Sequence, residues 1–239
     1  LTRGDFRSFA VLGLLMYVTF PVLFNSALKY TTASRGAVIL ATMPLWTALL
    51  ARRYVSESLR VGQMVGVLVS ITGVAVVIAE SGFGELGGRD ALLGNSLMVI
   101  AAIVAAIYGV RIKSVLARRD ALQVTAFAMA IGAAALLIPA MIEGLPNQLA
   151  DASLNTLLLV LYLGVAGGAI AFWLFSVALA HLSPTQAIVY VNLNPVVATL
   201  LASIFLDEPL TISFAIGFAL VVAGLLLTNL PTRRLSIRQ

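Results

Sequence analysis

Eight apolar runs, each of about the 20 residues that a helix needs to cross a bilayer core, occupy this chain almost end to end. They fall near residues 8–28, 33–53, 60–79, 92–113, 121–142, 154–180, 184–206 and 209–230. The runs are continuous instead of alternating. That pattern argues for helices over barrel strands, because in lipid each backbone polar group must be satisfied within its own helix or in a closed sheet. With 61% of 239 residues hydrophobic and 10% charged, the chain lies far outside soluble composition. The expected fold class is all-α, a polytopic transmembrane helical bundle.

Several function classes drop out at once. Cysteine is absent, which removes disulfide frameworks and thiolate metal sites, and the single histidine, His181, cannot form a cluster. No hydrolase elbow, phosphate loop or zinc-binding HExxH sequence occurs. His181 and Ser183 do not make a nucleophile pair on spacing alone. No enzymatic activity, cofactor or metal is expected. The net charge of +5 comes from basic residues in loops between apolar runs, not from a stripe with interleaved aromatics, so no nucleic-acid partner is expected. The expected partners are the lipid bilayer and a small-molecule substrate, with a homodimer left open. The opening Leu1-Thr2-Arg3-Gly4-Asp5 has no initiator methionine and no signal-peptide pattern, and reads as the start of a fragment or trimmed chain.

Residues 23–74 lie over 174–225 without a gap, at a constant offset of 151, with 13 of 52 pairs identical. The identities include Ala27/Ala178, Pro44/Pro195, Glu57/Glu208, Gly66/Gly217 and Gly73/Gly224. A repeat of this length in a membrane chain points to a duplicated fold, and such folds are most often transporters with their site between the halves. Alternate loops divide the basic residues unequally. Twelve fall on one side (Arg3, Arg7, Arg52, Arg53, Arg60, Arg111, Lys113, Arg118, Arg119, Arg233, Arg234, Arg238) and three, Lys29, Arg35 and Arg89, on the other. The first side is expected to be cytoplasmic, together with the C-terminus. Glu57 then lies inside and Glu208 outside, so the two copies are inverted. The expected organisation is a first, incomplete repeat of three helices over 1–80, a glycine-bearing linker over 81–93, a second repeat of five helices over 94–230 and a basic tail over 231–239. The offset places the start of a complete first copy before residue 1, so a protein of ten spans is expected, with the first two missing here.

No lysine, arginine, aspartate or glutamate sits within a span away from its ends, so the usual mark of an intramembrane ion site is missing from these runs. Uncharged groups are left as candidates for contact with a solute: Asn25, Thr42 and Trp46 in the first copy, and Tyr108, Trp173, Tyr190 and Asn194 in the second, with Ser176, Gln186 and Asn192 nearby. A mid-span amide is costly without a partner or a wet cavity. Asn192 and Asn194, two residues or roughly 200 degrees apart on a helix, cannot share a face. One should meet the cavity and the other a neighbouring helix. Pro44 and Pro195 each free a carbonyl one turn earlier, at Leu40 and Val191, and are candidate hinges as well as plain kinks. Ser56 and Glu57, and Asp207 and Glu208 before Pro209, read as helix starts with capping roles.

The run Ala27-Leu28-Lys29-Tyr30-Thr31-Thr32-Ala33-Ser34, then Met43-Pro44-Leu45, Ser56-Glu57-Ser58-Leu59 and Gly66 through Gly73, resembles the repeat of the EamA-type transporters of the drug/metabolite transporter superfamily. The second copy matches through Ser183-Pro184, Asn194-Pro195-Val196, Asp207-Glu208-Pro209-Leu210 and Gly217 to Gly224, and Gly94-Asn95 with Ala106-Ile107-Tyr108 is similar to the opening of that family's second unit. The resemblance implies two inverted five-helix units with cytoplasmic termini. It also implies a central cavity lined by the first, third and fourth helix of each unit, which here carry Asn25, Thr42 and Pro44, and Tyr108, Trp173, Tyr190, Asn194 and Pro195. The expected function is a multi-pass permease of the inner (plasma) membrane that exports or exchanges a small metabolite, amino acid-like, an amine or another small organic solute, by alternating access. A non-transporting membrane scaffold or an inactive truncated product is the alternative, and lipid flipping a third.

Overall fold

A computed structural model describes residues 3–31, 33–55, 60–79, 89–206 and 212–229. The described residues are helical almost throughout, and we number the long rods α1 to α8. Rod α1 runs from Arg3–Gly13 through a π-helical segment, Leu14–Thr19, into Phe20–Leu28. Rod α2 comprises Ala33–Leu40 and Met43–Tyr54, α3 is Val61–Ala79, α4 is Arg89–Leu116 and α5 is Ala121–Ile142. After a short helix, Leu145–Ala150, α6 joins Leu154–Tyr162, a π-helical Leu163–Ile170 and Ala171–His181. Rod α7 joins Pro184–Val189, a 3-10 turn Tyr190–Asn192 and Leu193–Leu206, and α8 is Ile212–Asn229.

Among the described residues five rods are both long and apolar enough to cross a membrane: α1, α4, α5, α6 and α8. The sequence pattern alone suggests eight uninterrupted spans. Of the other three rods, α3 is apolar but shorter over Val61–Val76, and α2 and α7 are each interrupted just before a proline. In α2 the turn at residues 41–42 precedes Pro44, and in α7 the 3-10 turn precedes Pro195. Proline offers no amide hydrogen and its ring crowds the carbonyl four residues back, so the ladder must shift at those places.

Close backbone contacts hold the rods together. Residue Gly94 at the start of α4 sits against the peptide of Tyr30 and Thr31, where a Cβ would lie 2.7 Å from the Tyr30 carbonyl carbon. Beside it the Thr31 hydroxyl donates to Asn95 Oδ1 at 2.7 Å. The first half of α1 packs on α5, with Phe9 stacked on Phe127 at 5.5 Å between ring centroids and Asp5 bound to Arg119 at 2.6 Å. At the same end, which carries most of the described arginines, the Lys113 ammonium donates to the carbonyls of Leu179, Ala180 and Leu182 at 2.8, 3.1 and 2.8 Å. A lysine there satisfies the orphan carbonyls that end α6 and complements its dipole. His181 belongs to the same corner, with Nδ1 and the Val177 carbonyl 2.9 Å apart. Rod α7 begins on a capping box between Ser183 and Gln186, followed by Pro184 in the first turn.

Helices α3 and α8 make the most intimate pair. A Cβ on Gly66 would stand 2.7 Å from the Gly224 carbonyl oxygen, and one on Gly73 the same distance from the Gly217 oxygen. Glycine permits this backbone approach, which dispersion then rewards. Replacing Gly73 or Gly224 by alanine is therefore expected to destabilise the purified protein by about 1–3 kcal/mol, the range for forced overpacking. Gly62→Ala, where nothing lies within 4 Å, serves as the control and should be neutral or slightly stabilising in the same detergent unfolding titration.

Candidate functional site

Midway along the rods lies a cavity of about 490 Å³. Rod α1 contributes Met16, Phe20 and Phe24 to it, spaced by one helical turn as a single face requires, and α6 contributes Gly167, Ala171, Phe172 and Phe175. The two interrupted rods supply Leu40 and Met43 from α2, and Ala187, Ile188, Tyr190, Val191 and Asn194 from α7; α4 adds Ala105 and Tyr108. The breaks at 41–42 and 190–192 thus border the cavity directly, where irregular backbone is tolerated because it need not face lipid.

The lining follows the offset of 151. Met16 and Gly167, Phe20 and Ala171, Phe24 and Phe175, Leu40 and Val191, and Met43 and Asn194 are related by that offset, and all ten line the one cavity. Its walls are aromatic and aliphatic. The polar groups among the lining side chains are the hydroxyls of Tyr108 and Tyr190 and the amide of Asn194. Tyr108 is 1% exposed, and its hydroxyl is buried next to those of Tyr17 and Ser176. The Tyr17 ring meets those of Tyr108 edge to face at 6.5 Å and Phe172 at 5.1 Å.

Of the residues singled out from sequence, the cavity brings together Tyr108, Tyr190 and Asn194. Asn25 follows Phe24 by one position, a rotation of about 100 degrees, and is exposed away from the lining. Trp173 follows Phe172 in the same way and is 38% exposed outside it. Thr42 and Trp46 stay next to the site without lining it. The Thr42 hydroxyl donates to the Ile39 carbonyl at 2.6 Å and accepts from Trp46 Nε1 at 3.1 Å, so both side chains stabilise the break in α2. Pro44 is buried, and Pro195 half-buried, just past the two breaks. The expected capping residues Ser56, Glu57, Asp207 and Glu208 lie outside the described residues. The phenylalanines escaped the sequence argument, although Phe24/Phe175 is one of the identical pairs of the repeat and carried the signal.

Asn192 and Asn194 diverge, as their spacing demands. While Asn194 faces the cavity, Asn192 is 1% exposed and donates from Nδ2 to Ser70 Oγ on α3 at 3.0 Å. Ser176 is likewise structural, accepting from Thr125 at 2.7 Å and donating to the Phe172 carbonyl at 2.9 Å.

The model of the EamA-like transporter family matches residues 1–79 and 92–230. The chain belongs to that family. A probable terminal-alkyne amino-acid exporter of Streptantibioticus cattleyicolor is 30% identical over 231 residues, 95% of this chain and 74% of the relative. An uncharacterized transporter of Bacillus subtilis, YyaM, is 25% identical over 224 residues, 94% of this chain and 73% of the relative. A chain known from a crystal structure shares the fold, with a TM-score of 0.77 at 21% identity over 96% of this chain and 79% of its own. Family and apolar rods together make this EamA-family chain a multi-pass membrane transporter.

The Asn192 to Ser70 bond allows a direct measurement. In a double-mutant cycle of Asn192→Leu and Ser70→Ala, read by unfolding in mixed micelles, a coupling of about 0.6 kcal/mol is expected, the average for interhelical bonds in membranes. A cycle that closes at zero would remove the bond as a contributor to stability.

Proposed function

We propose that the protein carries a small organic solute, uncharged or zwitterionic and of amino acid or amine size, across the inner membrane by alternating access. Two inverted repeats would move about the cavity, the second spanning 94–230 and the first falling within 1–80. The observation that carries this proposal is the cavity's lining by five pairs of residues at the offset of 151. A site built from equivalent positions of two copies is the arrangement on which exchange between two mirror conformations depends. The glycine seam supports the inversion. Gly66 meets Gly224 and Gly73 meets Gly217, so the offset turns one contact into the other, as a two-fold axis across antiparallel helices requires.

In this mechanism Tyr108 and Asn194 bind the polar part of the solute and the aromatic rings hold its apolar body. The breaks before Pro44 and Pro195 are the hinges about which the halves tilt, since a few positions with a disturbed ladder absorb such rotations. The absence of charged side chains from the lining disfavours phosphate esters, which call for lysine or arginine. The name of the Streptantibioticus relative, a probable terminal-alkyne amino-acid exporter, agrees in substrate size.

Transport in proteoliposomes tests the site. With a panel of amino acids and amines, Asn194→Leu and Tyr108→Phe should each lower the flux at least about tenfold, the equivalent of about 1.4 kcal/mol, while insertion and unfolding midpoint stay near wild type. Wild-type flux in both variants would remove the cavity from the transport path. Orientation is tested independently, because the chain has no cysteine. Arg118→Cys should react with an impermeant maleimide only from the cytoplasmic face, and Gln148→Cys only from the outer face.

A further inference from the structure

Two grooves open at the arginine-bearing end of the molecule, away from the central cavity, and Arg111 of α4 is common to both. One, of about 400 Å³, is walled by Arg7, Ser8, Val11 and Leu12 of α1 with Arg111, Ser114 and Val115 of α4. The other, of about 280 Å³, lies between α4 and the end of α2, with Leu50, Tyr54, Val55, Ile107 and Val110 beside Arg111 and Ser114. Arg7 and Arg111 are exposed, and among the described residues neither guanidinium has a carboxylate or hydrogen-bond partner. Their neighbours are committed elsewhere. Asp5 binds Arg119, and Lys113 is spent on the carbonyls that end α6. The Ser8 and Ser114 hydroxyls donate to carbonyls of their own helices at 3.0 and 2.8 Å.

Depth decides what such a pair of charges can meet. The uncharged stretch of α4 ends at Val110 and that of α1 begins at Ser8, so both arginines stand at the edge of the roughly 30 Å hydrocarbon layer. Tyr54 ends α2 at the same level, where aromatic residues with a polar tip collect, and Arg53 lies over its ring at 5.8 Å. A guanidinium at this depth faces lipid phosphates, which it binds in bidentate fashion, while the valine, leucine and isoleucine walls below it accept acyl chain. We propose that Arg7 and Arg111, with the apolar grooves on either side of Arg111, form a binding site for the phosphate headgroup and upper acyl chain of an anionic phospholipid. Basic pockets between spanning helices are the recognised setting for such headgroups. The site is independent of the solute cavity and does not rest on the transport mechanism.

Purified protein in detergent provides the test, with retention followed by native mass spectrometry and protection by thermal unfolding. Dioleoyl-phosphatidylglycerol should be retained and should raise the unfolding midpoint, whereas dioleoyl-phosphatidylethanolamine and inorganic phosphate should do so far less. Arg7→Gln and Arg111→Gln should each weaken retention about fivefold, and the double variant more than tenfold. Arg118→Gln, an exposed arginine at the same end but outside both grooves, should behave as wild type. Equal retention by the double variant, equal loss in the Arg118 variant, or equal protection by phosphatidylethanolamine would overturn the proposal. Protection by inorganic phosphate matching that of the lipid would overturn it in favour of a free-anion site. Each variant's unfolding midpoint without lipid separates a folding defect from lost lipid binding.

Discussion

Everything in this molecule answers to one requirement: in hydrocarbon a backbone amide or carbonyl left without a partner is too costly to keep, and only protein or trapped water can supply one. Rods α3, α4, α5 and α8 meet it as α-helices, α5 even across Pro139, and α1 and α6 meet it through π-helical stretches, while α2 and α7 are interrupted before Pro44 and Pro195. The Thr42 hydroxyl and the 3-10 bonds at Tyr190–Asn192 repair the ladder locally. The remaining irregularity is placed against a cavity instead of against lipid. The site thus lies where the two interrupted rods bring their breaks together.

Much of this was legible in the sequence. Continuous apolar runs disclosed the helices, and the offset of 151 disclosed which positions correspond. Gly66, Gly73, Gly217 and Gly224 could be recognised as packing residues from their recurrence, although nothing in the sequence says that they pack against one another. The two-residue spacing of Asn192 and Asn194 was enough to separate their roles. Which of the two would face the cavity was not, because that depends on the rotation of α7 about its axis, fixed by its contacts with α2, α3 and α8.

The candidates that lie off the cavity lining share a cause. Asn25, Thr42, Trp46 and Trp173 stand out in the sequence for polarity or an indole, since such groups in a membrane need a reason. Thr42 and Trp46 have that reason in each other and in the broken backbone, while Asn25 and Trp173 stand one step around the helix from Phe24 and Phe172. The cavity is defined mainly by phenylalanines and aliphatic side chains, which a composition of 61% hydrophobic residues hides from any argument based on unusual chemistry.

Rod α6 has a mechanical side. Its last turn is gripped by three carbonyl bonds to one ammonium, whereas every residue from 154 to 165 is exposed. Between the gripped and the ungripped parts lies the π-helical stretch Leu163–Ile170, whose looser ladder bends more readily than an α-helix. The rod is therefore held most firmly at its His181 end and is most compliant near its middle, while its other end is tied through Leu145–Ala150 to α5. At 1.5 Å per residue the arm before that stretch is about 14 Å long, so a tilt of about 10 degrees at the compliant zone would carry its end through roughly 2 Å. Gly167 lies within the compliant stretch and Ala171 just past it, so the cavity wall they form shifts little when the rod tilts, and the displacement falls on the far end of the arm.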